Sequence, residues 1–327
     1  MEKYYNNKNV LITGGLGMIG STVARKLVQC GANVTIVDAL LKPFGGNYFN
    51  IKGIEDKVDV HIVDIRDKNA IEHLIKGKEF IYSLAGQVSH NDSLKNPFLD
   101  AEINYIGHLN ILESVKKNEQ EPVIIYSGSR LQYGCTSTVP VSEEHHLRPR
   151  TPYALNKTAA ENMYLYYYNV HHIPCVLFRI SNPYGPRCQM IHSKYAIINW
   201  FISQAMENSE ITIFGKGDQI RDYIFVEDLV DGMIKASIEE KCIGEVFNIG
   251  SGVATQFKTM VETVINIVGT GFYQSVPWPK EYINIETGDY VADISKLIHA
   301  IDWNPRCMLE EGVRKTVNYY RKYKKFY

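Results

Sequence analysis

The chain has 327 residues, of which 45% are hydrophobic and 22% are charged, and its formal net charge is −1. This composition excludes a disordered or collagen-like chain, and the balanced charge excludes a general attraction to nucleic acid or to an anionic membrane. No apolar run approaches the roughly 20 residues that span a bilayer, and the six cysteines form no C-x-x-C pair, so we expect a cytoplasmic protein with reduced thiols.

Short runs of β-branched residues alternate with helical patterns through the first half of the chain. Ile19, Val23 and Leu27 recur at intervals of four, which predicts one face of a helix. Further helices are predicted over 103–117 and 154–170. Because strands and helices that alternate in this way form a parallel sheet covered on both faces, the sequence predicts an α/β fold. The predicted strands are 10–12, 34–37, 60–63, 80–84, 123–126 and 175–179.

A glycine-rich turn, TGGLGMIG over residues 13–20, joins the first predicted strand to the first predicted helix. Gly14, Gly17 and Gly20 permit a tight turn and the close approach of a pyrophosphate to the backbone. The helix that begins near Met18 then points its amides at that anion. Asp38, at the end of the second strand, can accept both ribose hydroxyls and would repel a 2′-phosphate. The pattern therefore predicts a dinucleotide site that prefers NAD to NADP.

After about residue 180 the alternation of strands and helices breaks down, and the segment NPYGP (182–186) marks the break. We therefore expect a doubly wound, Rossmann-type NAD-binding domain over 1–180, completed by parts of 223–250. A smaller lobe, mainly 181–327, is expected to bind the substrate. Because ligands of open parallel sheets lie at the carboxyl ends of the strands, the crevice between the two parts is the expected site.

Tyr153 and Lys157 lie one helical turn apart, which places a phenol and an ammonium on one helix face. A nearby cation favours the phenolate, so we expect the pKa of Tyr153 to fall from its reference value of about 10. The phenolate can then take the proton of a substrate hydroxyl while a hydride leaves the same carbon. Ser129, just past the fifth predicted strand, offers a hydroxyl that can orient the same substrate oxygen.

These motifs and several others follow one another from about residue 9 to about residue 320. In this order the chain resembles the extended short-chain dehydrogenase/reductases, and among them the NAD-dependent nucleotide-sugar epimerase/dehydratase family. The motifs that carry the resemblance are TGGLGMIG (13–20), LAGQ (84–87), SGSRLQYG (127–134), YALNK (153–157), RISNPYGPR (179–187), IFGKGDQIRDYIFVEDL (213–229), FNIGSG (247–252) and GDYVADISK (288–296).

The resemblance implies an enzyme that holds NAD, with Ser129, Tyr153 and Lys157 as its catalytic triad. It also implies a homodimer formed through the helices near 103–117 and 154–170. No metal is expected, because the histidines form no ligand motif. The implied substrate contacts are Ser129, Asn182 and Arg221, the last on the diphosphate, with Arg187 as a further candidate. The expected cofactor contacts are Gly14, Gly17, Met18, Ile19, Gly20, Asp38, Asp64, Ile65, Leu84, Ala85, Gly86, Gln87, Asn104, Ser127, Tyr153 and Lys157. For Asp64 the alternative interpretation is a helix N-cap.

The residues after Ser129 depart from the patterns of three reactions in the family. Dehydratases carry an acid pair there, 3,5-epimerases a cysteine at the second position and decarboxylases a glutamate at that position. This chain has Arg130 and Leu131, while Cys135 lies further on and is expected to be structural. The remaining chemistry is epimerisation through a bound keto-sugar, most commonly at C4. A C2 epimerase, a nucleotide-sugar dehydrogenase or 4-ketoreductase, and a non-catalytic NAD-binding sensor are the alternatives.

One further departure concerns the substrate. Many uridine-linked epimerases place an arginine three residues before the aspartate of GDY, as a second diphosphate contact, and this chain has Glu286 there. Arg187 and Lys194 are the candidates to supply that charge instead. The nucleotide base therefore stays open among uridine, guanosine, cytidine and deoxythymidine.

Overall fold

The structure is a computed structural model that describes residues 2–42 and 44–327. Its strands, numbered in chain order, are β1 (Asn9–Thr13), β2 (Asn33–Asp38), β3 (Val58–Ile62), β4 (Phe80–Ser83), β5 (Val123–Ser129), β6 (Cys175–Ile180), β7 (Asn182–Tyr184), β8 (Glu210–Phe214), β9 (Ile220–Arg221), β10 (Tyr223–Phe225), β11 (Val246–Ile249), β12 (Thr255–Gln256) and β13 (Phe272–Val276).

The α-helices are numbered in the same way. They are α1 (Glu2–Tyr5), α2 (Met18–Gln29), α3 (Lys68–Leu74), α4 (His90–Lys95), α5 (Pro97–Ala101), α6 (Gly107–Lys117), α7 (Pro152–His171), α8 (Ile197–Met206), α9 (Val226–Ala236), α10 (Phe257–Val268), α11 (Lys280–Ile283), α12 (Ser295–Ile301) and α13 (Leu309–Tyr323). Across residues 2–42 and 44–327, none of the helices has the length and apolar character needed to cross a membrane.

A seven-stranded parallel sheet forms the centre of the first lobe, in the order β11-β6-β5-β4-β1-β2-β3. Val10, Leu11 and Ile12 of β1 have no exposed surface, which is typical of a strand covered by helices on both faces. Each of the six strands predicted from the sequence is present. The predicted doubly wound α/β class is confirmed, and β11 from the later part of the chain completes one edge of the sheet.

The second lobe has a hydrophobic core of its own. Helices α8, α10 and α13 pack together around the buried side chains of Phe201, Met260 and Val317. Two short parallel pairs, β7 with β10 and β8 with β13, extend this lobe. The polypeptide therefore presents two separately packed bodies that can enclose a ligand between them.

Two local differences from the sequence predictions affect the site. Strand β5 runs through Ser129, because residues 127–129 stay paired with Phe178, Arg179 and Ile180 of β6. The helix predicted over 103–117 begins as a π-helical turn over 102–106, and α6 proper starts at Gly107. Turns of this wider kind are frequent at functional sites, and this one carries Asn104.

Helix α7 carries the tyrosine and the lysine of the YALNK motif. The Thr151 hydroxyl caps its N-terminus by accepting a hydrogen bond from the Ala154 amide at 3.2 Å, and Pro152 is its first residue. Tyr153 and Lys157 therefore lie in the first two turns of a well-started helix, where both are buried.

Candidate active site

A cavity of about 820 Å³ lies between the two lobes. The first lobe contributes the ends of β1, β2, β4 and β5, together with the start of α7. The second lobe contributes Arg221 of β9 and an aromatic group formed by Phe214, Trp278 and Tyr282. The cavity thus occupies the expected position at the carboxyl ends of the strands, and its volume is that of a small-molecule site.

The glycine-rich turn leaves no space for side chains. A Cβ atom at Gly20 would lie 2.2 Å from the carbonyl oxygen of Gly14, and one at Gly14 would lie 2.9 Å from the backbone of Ala85. Gly14 also has a φ of 67°, a conformation that favours glycine. Gly17 is the N-cap of α2, and the first residues of that helix line the cavity. The turn fits the pyrophosphate of a dinucleotide.

Two carboxylates line the same part of the cavity. The Asp38 carboxylate is fixed at the end of β2 by the amides of Leu16 and Leu40, at 3.0 and 2.9 Å, and burial raises its pKa. Asp64 pairs with Arg66 at 2.7 Å. Partial burial opposes ionisation of Asp64, but the hydrogen bonds from Arg66 outweigh it and lower the pKa. The alternative interpretation of Asp64 as a helix cap is wrong, because Asp67 caps α3.

The turn after β4 forms a second wall. The amides of Leu84 and Ala85 donate to the Thr13 hydroxyl. A Cβ atom at Gly86 would lie 2.8 Å from the side-chain oxygen of Asn104, and this buried oxygen has no hydrogen-bond partner in the described chain. Of the expected cofactor contacts, those that line the cavity are Gly14, Gly17, Met18, Ile19, Gly20, Asp38, Asp64, Ile65, Leu84, Ala85, Gly86, Ser127, Tyr153 and Lys157.

Gln87 and Asn104 do not line the cavity. The Gln87 side chain folds back onto Ser89, where its amide group donates to the Ser89 carbonyl at 2.7 Å and its oxygen accepts from the Ser89 amide. The Asn104 amide group donates to the Gln87 carbonyl at 2.9 Å. Both side chains brace the wall from behind, and their role as cofactor contacts stays a prediction.

Ser129, Tyr153 and Lys157 all line the cavity. The Ser129 side chain favours ionisation of Tyr153, which opposes the rise of the Tyr153 pKa on burial, and the Ser129 hydroxyl accepts from the Leu131 amide at 3.2 Å. The Lys157 ammonium donates to the Ser127 carbonyl at 3.0 Å. This arrangement brings a hydroxyl, a phenol and an ammonium to one place, although Ser129 and Tyr153 belong to different elements.

Burial dominates the ionisation of this group. Desolvation raises the pKa of Tyr153 to about 12, opposed by the Ser129 side chain, and it lowers the pKa of Lys157 to about 8. The expectation that the lysine lowers the pKa of Tyr153 is therefore wrong for the polypeptide by itself. Charge is costly in this enclosed space, so a phenolate there needs a further positive charge beside it.

A buried network supports Ser129 from behind. The Gln132 side chain accepts from the Ser129 amide at 2.7 Å and donates to Glu161 at 2.8 Å. Glu161 is paired through both of its oxygens with Arg179, at 2.7 and 3.0 Å. Because every member of such a network is held by its neighbours, the position of the Ser129 hydroxyl is well defined.

The second lobe provides the other half of the site. Asn182 lines the cavity and donates from its side-chain amide to the Asp222 carbonyl at 2.8 Å. Arg221 lines it as well, paired at 2.5 Å with Glu286. Asp222 makes no ion pair with Arg221, because its carboxylate accepts backbone amides that include those of Ser251 and Ala292.

The two alternative cations have other partners. Arg187 does not line the cavity: its backbone φ is 70°, and its guanidinium reaches the Thr22 hydroxyl on α2 at 3.0 Å. Its role as a substrate contact stays a prediction. Lys194 lines the cavity but is paired with Asp92 at 2.8 Å. Cys135 is exposed and is not itself among the lining residues, although its thiol contacts Arg150 and the Glu286 carbonyl, which are.

Sequence reasoning missed two cavity residues. The sequence identified Arg130 only as a residue that replaces the acid of the dehydratases. Its guanidinium nevertheless lies on the cavity wall between Asn182 and Thr287. His90 also lines the cavity, and burial together with the charge of Arg130 lowers its pKa to about 4, so it is neutral at pH 7. Among the residues that the structure describes, no three His, Cys, Asp or Glu side chains converge as a metal site would require.

Comparison with known proteins gives the same assignment over nearly the whole chain. Residues 11–316 match the family model described as GDP-mannose 4,6 dehydratase. A putative UDP-glucose 4-epimerase of Methanocaldococcus jannaschii is 31% identical over 95% of this chain and 97% of its own. Relatives of similar identity are named for other reactions, among them a 2-epimerase and decarboxylases.

Solved structures agree with the fold. The UDP-glucose 4-epimerase of Thermotoga maritima, solved with UDP-glucose, superposes with a TM-score of 0.89 at 29% identity, covering 97% of this chain and 99% of its own. The Thermus thermophilus UDP-glucose 4-epimerase, solved with NAD, gives a TM-score of 0.87 at 26% identity, covering 96% and 99% of the two chains. The chain therefore belongs to the extended short-chain dehydrogenase/reductases, in the family of NAD-dependent nucleotide-sugar epimerases and dehydratases.

Proposed function

We propose that the protein is an NAD-dependent epimerase of a nucleotide-diphosphate sugar, acting at C4 through a transient, bound keto-sugar. The observation that carries this proposal is the composition of the cavity wall beside the triad. The two positions after Ser129, where elimination or decarboxylation would use an acid, are Arg130 and Leu131, and both line the cavity. Within the described chain, the cavity carboxylates are Asp38 and Asp64 on the cofactor side, Glu286 on Arg221, and Glu210 of the second lobe.

The residues present fit NAD. The glycine-rich turn excludes side chains where a pyrophosphate would pass, and Asp38 ends β2 with its carboxylate on the cavity. Gly86, whose Cβ would lie 3.3 Å from the Lys157 ammonium, keeps the wall beside the triad open. We assign the cofactor role to the expected contacts that line the cavity, and a supporting role to Gln87 and Asn104.

The catalytic roles follow from the buried triad. NAD, when bound, supplies the hydride acceptor and a positive charge that favours the Tyr153 phenolate. Tyr153 takes the proton of the sugar hydroxyl and later returns it, while Ser129 donates a hydrogen bond that orients the same oxygen. Lys157, whose ammonium is held by the Ser127 carbonyl, supplies a positive charge to the triad. The keto-sugar turns in the cavity before it is reduced on its other face, and Asn182 contacts the nucleotide sugar while this happens.

The proposal includes a homodimer and a separate role for each of the two domains. Large apolar side chains are exposed on α5 and α7, among them Phe98 at 80%, Leu155 at 58% and Tyr166 at 52%. Such a patch marks a protein interface more often than a free surface, and we infer a homodimer formed through α7 and the helix that ends in α6. We assign NAD binding to 1–180 with parts of 223–250, substrate binding mainly to 181–327, and a cytoplasmic location.

Purified protein incubated with a panel of nucleotide sugars, and no added cofactor, tests the proposal. We expect NMR to show a new C4 epimer that approaches a fixed ratio, because the NAD that oxidises the sugar is regenerated in place. Tyr153→Phe is the matched control and should lose this turnover while it keeps bound NAD. Conversion only after NAD or NADH is supplied, with one cofactor spent per sugar, would instead identify a dehydrogenase or ketoreductase.

A further inference from the structure

Three arginines line the cavity, Arg130, Arg150 and Arg221. Arg150 is exposed and its Nη1 donates to the Cys135 thiol, whereas Arg130 and Arg221 are less exposed and are partnered differently from each other. Both terminal nitrogens of Arg221 have acceptors in the protein: Nη1 donates to the carbonyls of Ile220 and Gly288 at 2.9 and 2.8 Å, and Nη2 donates through one of its N–H groups to Glu286. Its positive charge is therefore matched by a carboxylate. To bind a phosphate with its terminal nitrogens, Arg221 would first have to leave Glu286.

Arg130 has no carboxylate partner in the described chain. Its Nε donates to the side-chain oxygen of Asn182 and its Nη1 to the Thr287 hydroxyl, both at 3.1 Å. The guanidinium also lies over the ring of Tyr290, 5.5 Å from the ring centre. These three contacts fix its plane, while Nη2 has no acceptor among the described residues and the side chain lines the cavity.

The place of Arg130 along the cavity matches the anatomy of a nucleotide sugar. It follows Ser129 directly, so its backbone starts at the reacting end of the site, and its guanidinium reaches across to Thr287 of the second lobe. In a nucleotide sugar the diphosphate is attached to the anomeric carbon, next to the reacting ring. A planar guanidinium held at that junction suits phosphate oxygens better than it suits a neutral hydroxyl.

We propose that Arg130 is the principal diphosphate-binding residue of this chain and that Glu286 holds Arg221 back from the same anion. The proposal rests on the proposed substrate class, a nucleotide-diphosphate sugar, and assigns its recognition to a residue outside the triad. The Glu286 carboxylate and the diphosphate compete for Arg221, whereas Arg130 is already in position for the ligand. Affinity for the diphosphate is thereby set by two opposed residues, Arg130 and Glu286.

Binding of nucleoside diphosphates to the NAD-loaded protein tests this without any turnover. UDP, GDP, CDP and dTDP are titrated by calorimetry, and the tightest binder and its free nucleoside are then measured with each variant. We expect Arg130→Gln to weaken diphosphate binding by tenfold or more and to leave nucleoside binding nearly unchanged. The diphosphate affinity of Arg130→Lys should lie between those of the wild type and Arg130→Gln, since lysine keeps the positive charge but loses the planar pair of N–H donors. Arg314→Gln, on an exposed arginine of α13, is the control.

Glu286→Gln separates a binding role from a structural one. It should tighten diphosphate binding severalfold in the wild-type background, because Arg221 is released, and it should restore part of the loss in the Arg130→Gln protein. Unchanged diphosphate affinity in Arg130→Gln would overturn the proposal, as would an equal loss of nucleoside binding or weaker binding in Glu286→Gln. A protein that binds diphosphates as expected but shows no epimerisation would contradict the proposed reaction alone.

Discussion

The ammonium of Lys157 donates a hydrogen bond to the carbonyl of Ser127 at 3.0 Å, which ties the second turn of α7 to the end of β5. Lys157 is only 3% exposed, and its charge is opposed by desolvation, the main cause of its lowered pKa of about 8. In the described chain no carboxylate forms an ion pair with it. The fold therefore keeps a buried cation at the reaction centre at the expense of stability.

Replacing Lys157 should show whether its buried ammonium lowers the free energy of unfolding. A folded-state pKa of about 8, below the ordinary lysine pKa of 10.5, means that the unfolded chain binds more protons between these two values. The Lys157 contribution to stability is then least favourable below pH 8 and improves as the pH rises from about 8 to about 10.5. Lys157→Met should raise the free energy of unfolding at pH 7 by roughly 1–3 kcal/mol while it abolishes turnover.

Urea unfolding of both proteins at intervals from pH 7 to pH 10 provides the measurement. The difference between the two free energies of unfolding should shrink as the pH rises, because the wild-type lysine becomes neutral. A difference that does not change with pH, or a variant that is less stable at pH 7, would show that the ammonium is not under strain from burial.

Asp38 should determine the choice between NAD and NADP. Its carboxylate lies on the cavity wall and is fixed by two backbone amides, so a 2′-phosphate placed there would meet a fixed negative charge. Asp38→Asn removes this charge but can keep an accepting oxygen for the amides. We expect the ratio of NADPH to NADH affinity to rise by about tenfold, which corresponds to ~1.4 kcal/mol.

Fluorescence titration of the two reduced cofactors measures this ratio directly. Asp67→Asn, at the cap of α3, is a matched control that should leave the ratio as it is. If the Asp38 variant discriminates between the two cofactors as strongly as the wild type, the preference has another source.

The pair Glu161–Arg179 should be important both for stability and for the position of Ser129. Both side chains are buried, at 2% and 6% exposure, and Glu161 also holds the Gln132 side chain that contacts the Ser129 amide. Glu161→Ala leaves a buried guanidinium without its partner, so we expect a loss of about 3–5 kcal/mol in the free energy of unfolding and a lower kcat.

Glu310→Ala is the control, because Glu310 pairs with Arg314 on the surface and should change the free energy of unfolding by less than about 1 kcal/mol. Chemical denaturation of the two variants makes the comparison. Equal losses in the free energy of unfolding would mean that the buried pair has no special role in stability. An unchanged kcat in Glu161→Ala would show that the pair does not position Ser129.

The sequence predicted those parts of the site that depend on local chemistry. The glycine-rich turn depends on the backbone conformation of Gly14 and on the lack of space for a side chain at Gly20. The Tyr153–Lys157 spacing depends on one turn of helix, so both features can be recognised without a fold. The contacts of Arg130 join it to residues 52 and 157 positions away, which no local pattern indicates. The hydrogen bond from Arg187 to Thr22 is equally invisible to local pattern, since the two residues are 165 positions apart. The pKa of Tyr153 also depends on burial, which spacing does not give.

The exposed apolar face of α7 should hold two copies of the chain together. Leu155, Tyr166 and Val170 recur along the helix at exposed positions, at 58%, 52% and 53%, and α5, which carries the exposed Phe98, packs against α7. Removing such surface from water stabilises an interface at roughly 25 cal/mol per Å².

A double variant, Leu155→Glu and Tyr166→Glu, should place like charges in the contact and give a monomer with a weakened but intact fold. Analytical ultracentrifugation at micromolar concentration makes the measurement, with Val253→Glu as a control on a different exposed apolar side chain. A wild-type protein that sediments as a monomer would contradict the homodimer, and a dimer that persists in the double variant would move the interface away from α7.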